Sequence, residues 1–142
     1  MTPVIKKTDY DELAGIYRLG IRLCVGPDWT PDAISDVLAG GMGLSFTAMI
    51  KKEIAGFLIA SPDGERNGRC AIKWIAASDD YGGAVIEEML LRAFLAEAEA
   101  AGYAGISVEV ACGGRLNELF LKFGFTEGKK SVSLAINLGK KP

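Results

Sequence analysis

The chain has 142 residues, about one domain with room for a buried core, and its 49% hydrophobic and 24% charged content is ordinary for a globular protein. A net charge of −2 gives no electrostatic basis for binding DNA or RNA, and the pairs Lys6-Lys7, Lys51-Lys52, Lys129-Lys130 and Lys140-Lys141 read as solvated surface. Histidine is absent, which removes histidine acid–base catalysis, Ser-His-Asp and Cys-His arrangements and histidine-ligated metal together.

Taken in order, Val4 to Lys7 predicts a short strand. Asp9 is placed to cap a helix whose apolar face runs through Leu13, Ile16, Tyr17 and Ile21. The loop VGPDW leads into Thr30-Pro31-Asp32, a compact start for a second helix that Gly40-Gly41 ends. Leu44 to Ile50 and Ile54 to Ala60 predict two strands joined by a hairpin-length link, and Cys70 to Ala77 a third, apolar enough to be central and covered on both faces.

The stretch SDDYGGAVIEEMLLRAF, Ser78 to Phe94, is a glycine turn running into a helix. Asp79 or Asp80 is read as its cap, and Glu87 and Glu88 as first-turn carboxylates satisfying the helix dipole. Its apolar stripe is Ile86, Met89, Leu90, Ala93 and Phe94, with the glutamates assigned elsewhere. Gly105 to Val110 predicts a strand, RLNELFLKF a short helix stopped by Gly124, and Ser131 to Leu138 a last strand. The order β-α-α-β-β-β-α-β-α-β predicts one α/β domain over residues 1–142. Its sheet is mixed and mainly antiparallel, flanked by helices, with one parallel pair made by a right-handed crossover.

The N-terminal MTPVIKKTDYDE has no apolar run behind its charges, and no segment approaches the ~20 apolar residues of a membrane helix, so neither secretion nor a membrane is expected. Cys24, Cys70 and Cys112 are widely spaced with no CxxC, which reads as reduced cytoplasmic thiols and not as a metal site.

Three places in this order resemble the GNAT superfamily of acetyl-CoA-dependent N-acetyltransferases: Ile75 to Tyr81, Val108-Glu109-Val110, and Leu119 to Phe125 with its closing Gly-Phe. The resemblance spans essentially the whole chain. It implies a GNAT-like fold, acetyl-CoA as acyl donor, and a small-molecule or peptide amine as acceptor. Homodimers are common among proteins of that family. It further implies that the cofactor's pantetheine arm pairs with strand backbone at Ile75 and Ala77. The Ala77 amide would then polarise the thioester carbonyl, and the amides of Gly82, Gly83, Ala84 and Val85 would hold the pyrophosphate at a helix N-terminus.

Departures from the family pattern are concentrated at the site. The usual Arg/Gln-x-x-Gly-x-Gly/Ala loop falls on Gly82, Val85 and Glu87, so only the loop glycine Gly83 survives. A carboxylate ~6 Å from a phosphate charge costs around 3 kcal/mol at an effective dielectric of 20, and well under 1 in water. The tyrosine that often protonates the leaving thiolate is replaced by Phe120, and the asparagine opening that helix by Gly113, with Asn117 a turn later. Glu109 matches a general-base position of some branches and equally suits an ion pair with Lys73. Trp29 suits either the acceptor mouth or packing on a helix start, and Cys112 is a weak nucleophile candidate. Two readings stay open: an N-acyltransferase using Glu109 and Ala77, or an inactive module of the same fold that binds a cofactor, metabolite or protein.

Overall fold

The computed structural model describes residues 2–23, 25–63, 68–109, 115–127 and 133–137. The expected elements form in the expected order. They are β1 (Val4–Lys7), α1 (Leu13–Leu23), α2 (Pro31–Gly41), β2 (Phe46–Ile50), β3 (Glu53–Pro62), β4 (Arg69–Ala77), α3 (Gly83–Ala100), β5 (Gly105–Glu109), α4 (Arg115–Lys122), β6 (Thr126–Glu127) and β7 (Ser133–Asn137). Asp9 and Glu12 form a capping box on a short 3-10 turn, Tyr10–Glu12, that precedes α1. The two-residue strand β6 went unpredicted; it is too short for alternation to register.

The sheet has seven strands in the order β1-β2-β3-β4-β5-β7-β6. Pairing is antiparallel throughout, except that β4 and β5 are parallel, with α3 as the crossover between them. The β2–β3 hairpin closes through Lys51 and Lys52, both at positive φ (48° and 68°), the conformation of a two-residue turn matched to strand twist. Among the described residues no helix is long and apolar enough to cross a membrane.

Two bulges organise the faces. Ala55 is the extra residue of β3, between the pairs Ala48–Gly56 and Met49–Ile54. Lys73 is the extra residue of β4, between Ile59–Trp74 and Ala60–Ile72. Without the second bulge, alternation would send Ile72 and Ile75 to opposite faces. With it, both join Cys70, Ala77, Leu90 and Phe94 in the core under α3 and α4. The other face packs Phe57, Ile59 and Ala76 against Ile16, Leu19 and Leu38 of α1 and α2. The reading of β4 as covered on both faces therefore fails at one residue: Lys73 is exposed.

Candidate functional site

The parallel ladder between β4 and β5 runs from Arg69–Gly105 to Ile72–Val108. Beyond it β4 continues to Ala77, paired on its other side with β3 as far as Gly56. From Lys73 to Ala77, then, β4 has a strand neighbour on one side only among the described residues, and the two parallel strands part at the bulge.

The phase of the backbone in this opening follows from one bond. The Ser78 amide donates to the Ala55 carbonyl at 2.8 Å, so main-chain polar groups at 78, 76 and 74 face β3. Those of Ala77 and Ile75, alternating with them, face the β5 side. Both side chains remain in the core under α3. Buried amides and carbonyls require partners, and an extended ligand lying along β4 would meet these groups.

Past Ala77 the chain turns into α3. Asp79 and Asp80 precede the N-cap of α3, which is Gly82; Ser78 caps the 3-10 turn before it, over Asp79–Tyr81, its Oγ accepting from the Asp80 amide at 3.2 Å. A serine ahead of Asp-Asp and a glycine pair was a legible cap signal that the acidic residues obscured. Gly82 then adopts φ 77°, ψ 63°, a left-handed conformation that favours glycine. Gly83 begins α3 in a confined spot. A Cβ there would meet Asp79 Oδ1 at 2.8 Å, the Ala77 carbonyl at 3.1 Å and the Ser78 carbonyl at 3.3 Å.

The amides of Val85 and Ile86 both bond to the Gly82 carbonyl, at 3.1 and 3.3 Å. Gly83 and Ala84 are the first two helical residues, whose amides have no carbonyl one turn earlier. Val85, next in the helix, is 64% exposed. Beside this end, Tyr81 donates to Glu53 at 3.0 Å, and that bond holds the phenol above its usual pKa.

The glutamates differ from expectation. With α3 starting at Gly83, Glu87 and Glu88 lie in its second turn and the first turn has no acidic residue, so neither satisfies the dipole as a first-turn carboxylate. Glu88 faces α4, bonding Lys122 at 2.9 Å and Arg92 at 3.0 Å, and these cations hold it below the usual carboxylate range. Glu87 is 3% exposed. Ile86, the residue before it, packs toward Gly56 on β3. At 100° per residue, Glu87 therefore falls between the β3-facing and α4-facing sides of α3, toward the β4–β5 opening. The Asp79 carboxylate at Gly83 and the buried Glu87 carboxylate thus both flank the place where an anion would seek the helix N-terminus.

Other expected residues divide. Glu109 sits on β5 one residue beyond the last β4–β5 pair, opposite Ser133. Lys73 makes no ion pair among the described residues. Trp29 takes the packing alternative. It is 4% exposed, stacks on Phe57 at 5.0 Å, meets Trp74 edge-on at 5.1 Å and donates from Nε1 to the Tyr17 carbonyl at 2.9 Å. It can fix the α1–α2 loop but presents no open ring to an acceptor. Phe120 is fully buried against Phe125 at 5.1 Å. Cys24, Cys112 and Gly113 lie outside the described residues. Cys70 is buried, its thiol pushed up to about 12 by that burial, and it is no nucleophile near neutral pH.

No protein-family model matches the chain, and no curated protein matches it. Solved structures do. A chain of the NatC complex bound to Gag peptide and CoA superposes with a TM-score of 0.86 at 19% identity, covering 97% of this chain and 99% of that one. The ribosomal-protein-S18-alanine N-acetyltransferase from Escherichia coli gives 0.82 at 18% identity, covering 99% and 97%. An acetyltransferase of the GNAT family from Staphylococcus aureus gives 0.78 at 16% identity, covering 96% and 99%. Those likenesses span nearly every residue and establish that the chain has the GNAT acetyltransferase fold.

Proposed function

We propose that the protein is an acyl-CoA-dependent N-acyltransferase, with acetyl-CoA as donor and a primary amine as acceptor. The observation that carries this reading is the pair of main-chain groups at Ile75 and Ala77, facing an opening that ends at the α3 N-terminus. A pantetheine arm is an extended chain with two amides, and it matches that row of donors and acceptors. The confined Gly83 and the amides of Gly83 and Ala84, with Gly82 and Val85 beside them, suit the pyrophosphate, while Asp79 and Glu87 weaken its hold.

In this reading the Ala77 amide points at the thioester oxygen and stabilises the charge that develops there. The amine nitrogen attacks the carbonyl carbon. A C–N bond forms as the C–S bond breaks, the amine's proton passes to Glu109 directly or through water, and the thiolate departs. Phe120 has no proton to give, so the thiolate is protonated by solvent. Losing a general acid costs about 10²–10⁴ in rate, which makes a slow enzyme the expectation.

The buried Glu87 favours a second reading, an inactive module of this fold that binds another ligand or a protein. Calorimetric titration with acetyl-CoA, followed by thiol release across an amine panel, separates the two. Absence of binding at millimolar acetyl-CoA would sink the enzyme reading, and binding without turnover supports the module. In an active enzyme, Glu109→Gln lowers turnover and spares acetyl-CoA affinity.

A further inference from the structure

Lys73 is an exposed lysine on β4, in the interior of a seven-stranded sheet. On the α1–α2 face of the sheet, Phe57, Ile59 and Ala76 are buried in one cluster with residues of α1 and α2. The adjoining row across three strands, Ser61–Ala71–Ser107, is only half-buried. The helical layer thus leaves part of this face uncovered. Lys73 is the bulged, exposed residue next to Trp74, at the point where β4 and β5 part.

An exposed ammonium at that point has an electrostatic consequence. It repels a second ammonium and attracts an anion, and it lies at the inner end of the opening that Ile75 and Ala77 line. We infer that Lys73 is a specificity-determining residue that holds the anionic group of an amine ligand, a carboxylate or a phosphate. The name acceptor for that ligand rests on the acyl-transfer reading, whereas the binding itself does not. With the anion on Lys73, the amine is turned away from the lysine and toward the opening. Lysine acts here as a compact point charge and does not demand the planar fork of a carboxylate, so both anions qualify.

The test compares three small probes at about pH 7, where each carries an ammonium: L-alanine, O-phosphoethanolamine and L-alaninamide. Binding is read by indole fluorescence, because the chain's two tryptophans are in contact and Trp74 adjoins Lys73. At least one anionic probe should bind about fivefold to tenfold more tightly than alaninamide, the range of a partly exposed ion pair. The two anionic arms show whether carboxylate or phosphate is preferred. Lys73→Ala should erase the preference, Lys73→Arg keep it and Lys73→Glu reverse it, while a purely structural lysine would leave the ratio unmoved. Equal binding of all three probes, no saturable binding of either anion, or a preference surviving Lys73→Ala overturns the inference. A parallel acetyl-CoA titration keeps the two ideas apart: anion preference without acetyl-CoA binding removes the acyltransferase and leaves Lys73 as the anion site of a binding module.

Discussion

The amide of Ser78 and the carbonyl of Ala55 are joined at 2.8 Å, and Ala55 is the bulged residue of β3. This bond sets which β4 amides serve the sheet and which face the opening. Ala77→Pro deletes an amide on the open side and Ala76→Pro one on the β3 side, where a ladder bond is lost. Acetyl-CoA affinity should fall about tenfold in Ala77→Pro, near the worth of one hydrogen bond to a carbonyl, with the circular dichroism spectrum retained. Ala76→Pro should unfold. Wild-type acetyl-CoA affinity in Ala77→Pro would take that amide out of the site.

Glu87 yields a prediction of opposite sign. Its carboxylate is withdrawn from water, so bulk salt screens it poorly. Replacing the carboxylate in Glu87→Ala should tighten acetyl-CoA binding by about tenfold, with roughly 3 kcal/mol at an effective dielectric of 20 as the ceiling for an ionised group. The gain should persist at high salt. Calorimetry on both proteins decides it, and unchanged affinity places the carboxylate away from the phosphates.

The element order was legible because Leu90, Phe94 and their neighbours repeat at helical spacing, and because glycines and turn residues punctuate the strands. The bulges were not. Nothing in the composition of IAGFLIA or CAIKWIAA marks Ala55 or Lys73, since a bulge is decided by pairing against the neighbouring strand. Glu87 was misplaced for a related reason. Patterning assigns a glutamate to solvent, yet this one shares its side of α3 with buried Gly83, Leu90 and Leu91. Trp29 was undecidable from sequence, because the feature that seats its ring is a glycine a helix away.

That glycine is Gly20. A Cβ there would collide with the Trp29 indole, so the close approach of α1 to the loop requires glycine. Gly20→Ala should destabilise the fold by about 1–3 kcal/mol through overpacking, outweighing the alanine's better helix propensity. A lowered denaturant midpoint with the slope unchanged is the expected readout. Acetyl-CoA affinity should hold, because Ile75, Ala77 and Gly83 lie on the other side of the sheet's core from Trp29.

Burial of Cys70 gives the protein an alkaline signature. The thiol's pKa is raised from 9.0 to about 12, chiefly by burial, with Arg69 opposing. A thiol with a raised folded pKa holds its proton more tightly in the native state. Its contribution is whole below about pH 9 and is lost as pH rises toward 12, at about 1.4 kcal/mol per pH unit. Urea midpoints measured from neutral pH to pH 11 should therefore fall faster above pH 9 in the parent than in Cys70→Ala. Tyr103, whose phenol is raised chiefly by burial and further by Cys70, titrates in both proteins, so the difference between the curves reports the thiol together with its coupling to that phenol. Parallel curves would mean that the thiol ionises as readily folded as unfolded. Alkylation offers an independent check: in a Cys24→Ser, Cys112→Ser background, Cys70 should resist iodoacetamide at pH 8 and react once urea is added.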